Sequence, residues 1–275
     1  MSDFASYKNK RVVVTGCFSG MGEATAKLLL KLGAEVHGVD YKDCTLPLAS
    51  FNKADLRDPA SIDAAVLKIG GKIDGLFNCA GLPQTFPALD VMKVNFLGTR
   101  YITEKLIPMM GEGSAIVSIS STGGLGWSRR VPQIMELIKQ PTFEAGLKWC
   151  EANPDIVREG YSFSKEAVIV WTMLMGCSLI KKGIRINSTM PGPTQTPMMK
   201  EFEAATAKAV LDAVTQPIGR RSTPEEQAAA LVFLNSSEAS YVNGVCLAVD
   251  GGFMGGVATG QIDLSVMMGG AAKQG

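Results

Sequence analysis

A single histidine, His37, serves a chain of 275 residues. That scarcity excludes catalysis that needs two histidines, and it excludes a histidine-rich metal site. A Ser-His-Asp triad would have to use this one residue, which stands in the apolar-leaning stretch Glu35-Val36-His37-Gly38-Val39. The six cysteines, Cys17, Cys44, Cys79, Cys150, Cys177 and Cys246, include no C-x-x-C pair, so neither a zinc ribbon nor a small disulfide scaffold is encoded. In a chain of this size they read as buried thiols of a reducing compartment. An excess of one charge is missing too. Against 27 basic residues stand 26 acidic ones, which leaves no electrostatic footprint for nucleic acid or an anionic membrane. The longest apolar stretch, residues 167–180, falls short of the roughly 20 residues that a membrane-spanning helix needs. Residues 1–11 are polar and lack the apolar core of a signal peptide. The expectation is a soluble, cytoplasmic protein with a small-molecule partner and with no nucleic acid, membrane or metal.

What is present is an alternation. Residues 11–15 read as a buried strand, residues 23–32 as the helix after it, ended by Gly33, and residues 34–40 as the second strand. Residues 74–78, 115–120, 184–188 and 245–249 are further strands, each beside an apolar helical stretch. Near-continuous apolar strands with helices between them imply a parallel sheet covered on both faces. Right-handed crossovers make it doubly wound. No repeat, charge block or Pro/Ser-rich linker marks a second domain. The predicted architecture is therefore α/β, a single-domain Rossmann fold over residues 1–275. The Gly- and Met-rich tail after Gly252 suits either an ordered cap or a loose end.

One stretch breaks the alternation. Between Ser121 and Tyr161, residues 132–140 and 142–152 predict two short helices, with Pro132 in a first turn and Thr142 as a cap. Their apolar residues Ile134, Leu137, Ile138, Phe143, Leu147 and Trp149 need something to pack on.

Three local patterns carry chemistry. Thr15-Gly16-Cys17-Phe18-Ser19-Gly20-Met21-Gly22 lies between the first strand and its helix. Glycines there let the backbone turn sharply and approach a pyrophosphate, whose charge the helix N-terminus favours. An ordinary tight turn would use the same residues, but Asp40, an acid ending the second strand, falls where a dinucleotide site needs one. The loop is not a P-loop, because Glu23 follows Gly22 where a phosphate-binding lysine is required. A carboxylate at Asp40 can accept both ribose hydroxyls of NAD and would repel a 2′-phosphate, so NAD is expected over NADP. Lys42 is the nearby base that would counter it, and a turn-forming Asp is the alternative. Tyr161-Ser162-Phe163-Ser164-Lys165 opens the apolar helix that runs to Ile180. Residues four apart share a helix face, so the Lys165 ammonium is expected to favour the Tyr161 phenolate and lower its pKa. Such a pair can act as general acid and base for an alcohol–carbonyl interconversion. Taken alone, Tyr and Lys at this spacing also suit a solvated helix face.

Together these patterns resemble the short-chain dehydrogenase/reductase family over about residues 8–253. The family's T-G-x-x-x-G-x-G appears as Thr15 to Gly22, its D-[VL] after a third strand as Asp55-Leu56, and its N-x-A-G as Asn78-Cys79-Ala80-Gly81. Its helix asparagine appears as Asn95, its strand-end serine as Ser121, its Y-x-x-x-K as Tyr161 and Lys165, and its P-G-x-x-x-T as Pro191 to Thr196. The late D-G-G appears as Asp250-Gly251-Gly252.

The resemblance implies roles at those positions. Tyr161 would exchange the proton, Ser121 would orient the substrate oxygen, Lys165 would hold the nicotinamide ribose, and Asn95 would anchor a relay water. Gly16, Ser19, Gly20, Met21 and Gly22 would cradle the pyrophosphate, and Asp55 and Leu56 would meet the adenine. Asn78, Ala80 and Gly81 would line the riboses, with Thr194 and Thr196 at the carboxamide end. Ser120 is the weaker choice for the serine, because strand alternation turns adjacent side chains to opposite faces. Asn78 as a turn residue, Asn95 as a helix kink and Thr196 as a helix cap are the bland alternatives.

The chain departs from the family pattern in three places. The segment from Asp40 to Asp55 is short for the family's usual helix, and so is the stretch from Gly81 to Asn95. The segment between Ser121 and Tyr161 is long. This distribution is similar to that of the hydroxysteroid dehydrogenase/carbonyl reductase and coniferyl-alcohol dehydrogenase subgroup. The insertion, about residues 126–160, is open to three readings: a lid on the substrate mouth, a cover on the helix face that many family members use to build tetramers, or a surface decoration. Met198, Met199 and Phe202 suggest an apolar roof, hence a hydrophobic alcohol or ketone, steroid or phenylpropanoid. The resemblance also implies a homo-oligomer, a dimer or tetramer. A non-catalytic nucleotide-binding protein on the same fold is the rival from another class.

Overall fold

Val12, Val13 and Val14 are fully buried at the centre of the molecule, where strand β1 (Arg11–Thr15) is flanked on both sides. The structure, a computed structural model, describes residues 6–263. After β1 come α1 (Gly20–Lys31), β2 (Glu35–Asp40), β3 (Ser50–Lys53), α2 (Pro59–Ile69), β4 (Ile73–Asn78) and α3 (Ala88–Met92). A π-helical turn, Lys93–Gly98, joins α3 to α4 (Thr99–Leu106), and β5 (Met110–Ile119) follows. The insertion then supplies a 3₁₀ segment (Thr122–Arg129), α5 (Val131–Ile138), α6 (Phe143–Ala152) and α7 (Pro154–Val157). The remaining elements are α8 (Tyr161–Leu179), β6 (Arg185–Pro191), α9 (Met199–Ala205), α10 (Lys208–Ala213), α11 (Pro224–Asn235), β7 (Cys246–Val249) and α12 (Phe253–Ala258).

Among the described residues the sheet has seven strands, all parallel, in the order β3-β2-β1-β4-β5-β6-β7. The order reverses between β1 and β4, which opens a crevice at their carboxyl ends, the place where such folds bind ligands. One apolar cluster packs α1 and α11 on one face of the sheet. The other, on the opposite face, gathers α2, α4, α8 and the insertion. The doubly wound Rossmann architecture read from the sequence is the one observed.

Local chemistry sets the helix boundaries. Asp58 caps α2 by accepting from the Ala60 N–H at 3.0 Å, with Pro59 in the first turn. Thr142 caps α6 by accepting from the Ala145 N–H at 3.1 Å, as its sequence position predicted. Thr223 and Glu226 form a reciprocal capping box on α11. Between β2 and β3 there is no helix, as that segment's length anticipated. The short edge strand β3 itself was not among the strands marked by apolar runs.

His37 is spent on the fold. In β2 its ring meets Ser50 Oγ at 2.8 Å on one side, and Glu35 Oε1 and Arg11 Nη2 at 3.0 and 3.1 Å on the other. Burial, aided by Arg11, holds its pKa below the ordinary value. Two expectations need correction. The stretch Tyr161–Lys182 is long and apolar enough to cross a membrane, more than the run of residues 167–180 suggested, but 67% of its most apolar window is buried in the fold. It is the core helix. The cysteines are not uniformly buried either, since Cys177 is exposed on α8. The Gly- and Met-rich tail beyond residue 263 lies outside the described residues.

The insertion is no surface decoration. Ile134, Leu137, Ile138, Phe143, Cys150 and Val157 join the same buried cluster as Phe163 and Trp171 of α8. Trp149 stacks on Phe163 at 5.8 Å, Phe143 meets Tyr101 of α4 edge-on, and a side chain at Gly146 would collide with Leu97. The segment thus covers the outer side of α4 and α8.

Candidate active site

Two cavities, of about 360 and 250 Å³, open at the crevice beside β1 and β4. Met21, Cys79, Gly81, Leu82, Thr196 and Met198 line both, so they form one trough. Its larger half runs from Asp40, Asp55 and Leu56 past the glycine loop to Ala80, and its smaller half ends among Ser121, Tyr161 and Lys165.

The loop is built for close approach. Gly16 has φ +71°, and a Cβ there would stand 2.6 Å from the Ala80 nitrogen. A Cβ on Gly22 would stand 2.0 Å from the Gly16 carbonyl oxygen. Only glycine leaves that backbone exposed to a ligand. Ser19 precedes α1 in extended conformation, so the first N–H groups of the helix, from Gly20 onward, are left without intrahelical partners beside the trough. Thr15, which the motif reading passed over as a site residue, ties the two strand ends by accepting from Cys79 N and Ala80 N at 3.1 and 3.3 Å.

Asp40 ends β2 and is buried. Its Oδ2 accepts from the Phe18 N–H at 3.0 Å and its Oδ1 from the Lys42 N–H at 2.9 Å. The Lys42 ammonium lies over the rings of Phe18 and Tyr41 at 5.3 and 5.4 Å. A second base was missed in the sequence: Arg57 also lines the trough. It is held by Asp55 at 2.7 Å and Asp90 at 3.5 Å, and the Arg57 guanidinium keeps the Asp55 carboxyl below its usual range.

At the other end, Gly160 at φ +79° starts α8, where a side chain would strike the Ala88 carbonyl. That turn presents Tyr161, half-buried, to the cavity beside Ser121. Ser120 has its hydroxyl turned the other way, donating to the Lys165 carbonyl at 2.8 Å. The two serine side chains thus point differently, as strand alternation anticipates. Lys165 is 4% exposed. Its ammonium donates to the Ile119 carbonyl at 2.9 Å and lies 5.7 Å from the centre of the Tyr161 ring.

The electrostatics differ from the expectation that Lys165 would lower the Tyr161 pKa. Burial raises the phenol above its ordinary value, and Ser121 provides the opposing pull. Lys165 is itself drawn down to about 8 by burial, with Cys79 acting the other way. The Lys165 ammonium is directed at a backbone carbonyl rather than at the phenol, and burial sets the direction of the Tyr161 shift.

Not every expected side chain reaches the trough. Asn78 and Asn95 line neither cavity. Asn78, expected at the riboses, is turned into the core, where its Nδ2 donates to Thr103 Oγ1 at 2.9 Å and Ser118 Oγ at 3.2 Å. Asn95, inside the π-helical turn, accepts from the Leu82 N–H at 2.7 Å and donates to the Leu82 carbonyl at 3.0 Å and Ser164 Oγ at 3.2 Å. It pins the segment that follows Gly81. Thr194 and Thr196 both line the smaller cavity, the former also bonded to Ser222 at 2.9 Å. No residue of α5, α6 or α7 lines either cavity, which removes the lid reading. The smaller cavity also holds Gln84 and Thr206, which no motif marked.

The residues fit a dinucleotide: a glycine cradle that any Cβ would fill, a buried acid at the end of β2, and a trough long enough to join Asp40 to Tyr161. Comparison with known proteins agrees. The family model described as short chain dehydrogenase matches residues 10–132, and that described as enoyl-(acyl carrier protein) reductase matches residues 154–254. The chain is 37% identical over 245 residues to the coniferyl-alcohol dehydrogenase of Pseudomonas sp. (strain HR199), covering 89% of this chain and 96% of that one. It is 30% identical over 252 residues to the 3-alpha-hydroxysteroid dehydrogenase/carbonyl reductase of Comamonas testosteroni, covering 88% and 95%. The solved 3-alpha-hydroxysteroid dehydrogenase from Pseudomonas sp. B-0831, complexed with NADH, superposes with a TM-score of 0.76 at 26% identity, over 92% of this chain and 99% of that one. Other solved relatives of the same fold carry NADP. The chain belongs to the short-chain dehydrogenase/reductase family of oxidoreductases.

Proposed function

We propose that this protein is an NAD-linked dehydrogenase that interconverts a hydrophobic alcohol and its carbonyl compound. The observation that carries the reading is the convergence of Tyr161, Ser121 and Lys165 on one end of the trough, in a cavity whose walls include Met198, Met199, Phe202, Leu211 and Phe253. Asp40 favours NAD, because its carboxylate, already fixed by two N–H groups, stands where a 2′-phosphate would meet like charge.

The chain's residues then divide the work. Ser121 donates to the substrate oxygen and orients it. Tyr161, kept neutral by burial, gives its phenolic proton to that oxygen in reduction and recovers it in oxidation. Lys165 holds positive charge beside the phenolate that reduction leaves behind. Asn95 acts as a positioning residue that fixes the segment after Gly81. When bound, the nicotinamide ring supplies the hydride exchange with the substrate carbon. We infer also that a homo-oligomer of this chain assembles on surfaces other than the outer side of α8, which the insertion covers.

The test is NADH formation against a panel of steroid, aromatic and aliphatic alcohols, with NAD and NADP compared. Turnover of an apolar alcohol with NAD is expected. Tight NADH binding with no turnover of any alcohol or ketone would instead favour a nucleotide-binding protein without catalysis.

A further inference from the structure

We propose that Gln84 and Thr206 set the specificity of this site by binding a hydroxyl at the end of the substrate remote from the reacting carbon. The substrate class is then a single-ring aromatic alcohol that carries a ring hydroxyl. This inference rests on the alcohol dehydrogenase reading above.

Gln84 stands on the segment between β4 and α3, and Thr206 follows α9, in extended conformation. They are 122 residues apart in the chain, yet the Gln84 Nε2 donates to Thr206 Oγ1 at 3.3 Å. Both line the substrate-side cavity. Around them the walls are Met199, Phe202, Val210, Leu211, Val214 and Phe253. This polar pair, half-buried among such residues, has hydrogen-bonding capacity to spare. Among the described residues nothing donates to the Gln84 amide oxygen, and Thr206 Oγ1, which accepts from Gln84, keeps its own proton to donate. A hydroxyl group can serve both, as donor to the first or acceptor from the second.

Phe202 meets the Tyr161 ring edge-on, with centroids 5.1 Å apart. Thr206 comes four residues later, just past the end of α9. A ring packed on Phe202 with its alcohol carbon at Tyr161 and Ser121 would share its cavity with the Gln84–Thr206 pair, to which we assign the far edge. The cavity of about 250 Å³ is below the roughly 300–1,000 Å³ of drug-sized pockets. Part of it, along Ile119, Lys165 and Thr194, belongs to the nicotinamide end. Within this proposal a single ring occupies the space that remains.

The experiment measures kcat/KM for para-hydroxycinnamyl alcohol and for cinnamyl alcohol, and takes their ratio. One well-placed hydrogen bond predicts a ratio of about 10 in favour of the hydroxylated alcohol, expressed mainly in KM. Gln84→Leu and Thr206→Val should each bring the ratio toward 1, whereas Thr206→Ser should keep it. The ratio is internal to each variant, so a partial loss of folded protein does not change it. A wild-type ratio near 1, variants that slow both alcohols equally, or turnover of steroids alone would overturn the proposal and leave the dehydrogenase reading standing. Absence of turnover with every alcohol and ketone would overturn the dehydrogenase reading itself, and this proposal with it.

Discussion

Arg130 Nη1 stands 3.2 Å from Glu166 Oε2, and this ion pair joins the insertion to the helix that carries Tyr161 and Lys165. The contact lacks hydrogen-bond alignment, since Glu166 Oε2 is buried without a hydrogen-bond partner. Burial accordingly prevails over the Arg130 attraction and raises the Glu166 carboxyl from 4.5 to about 7.

The first prediction follows from that shift. A carboxyl raised in the folded state retains a proton that the unfolded chain has lost, so stability falls as pH climbs from about 4.5 to 7. The loss across that window is on the order of 3 kcal/mol for this group. Urea unfolding of Glu166→Gln should show a flatter pH dependence than wild type over the same interval. An unchanged slope would mean that another group titrates there.

Tyr161→Phe should keep NADH affinity and lose roughly 10²–10⁴-fold in turnover, the range for removing a general acid. Because burial raises the wild-type phenol, alcohol oxidation, which needs the deprotonated oxygen, should keep accelerating up to and beyond about pH 10, the ordinary phenol value, although loss of the Lys165 charge above about 8 blunts the rise. Carbonyl reduction should not accelerate with it. Steady-state rates in both directions check this.

Asp40→Asn removes the charge and keeps one acceptor oxygen, enough for only one of the Phe18 and Lys42 N–H groups that the two carboxylate oxygens now serve. The preference for NAD over NADP should fall about 10–100-fold, the worth of a charged hydrogen bond. Cofactor KM values decide it, and a preference that did not move would remove Asp40 from cofactor choice.

Gly22→Ala would force a methyl group to within 2.0 Å of the Gly16 carbonyl oxygen, a contact that only movement of the loop relieves. NADH affinity should drop by more than an order of magnitude, read by fluorescence titration, together with a lower melting temperature. Wild-type affinity in this variant would contradict the cradle geometry.

Much of this was legible in the sequence, for physical reasons that differ by element. Six strands announced themselves because both faces of a parallel sheet are covered, so runs such as Val12-Val13-Val14 carry no polar interruption. The edge strand β3, Ser50-Phe51-Asn52-Lys53, has one large apolar residue and could not. That Ser120 and Ser121 point differently was legible from alternation alone. The direction of the Tyr161 shift was not, because Lys165 spacing fixes a shared face but not where the ammonium points. Asn78 and Asn95 look like ligand residues by motif, and only tertiary contacts reveal that their side chains also tie core and backbone. Gln84 and Thr206 belong to no periodic pattern and meet only through the fold.

Leu137→Ala tests whether the insertion is integral. Leu137 is fully buried in the cluster shared with α8, so the truncation should cost about 2–5 kcal/mol. A single cooperative transition, with loss of the catalytic helix signal at the same denaturant concentration, is expected. Local melting of α5 and α6 ahead of the rest would show an independent module.

That packing has an evolutionary corollary. Phe163, Trp171 and their neighbours form an adhesive surface on α8 that must be shielded from water. Here residues 122–160 of the same chain provide the shield, so the insertion behaves as a tethered subunit, present at fixed stoichiometry and independent of dilution. A shorter homologue could dispense with it only by recruiting a second chain to that surface or by rewriting the surface as polar. For this protein, completing the shield is an intramolecular event, settled before any molecule meets another.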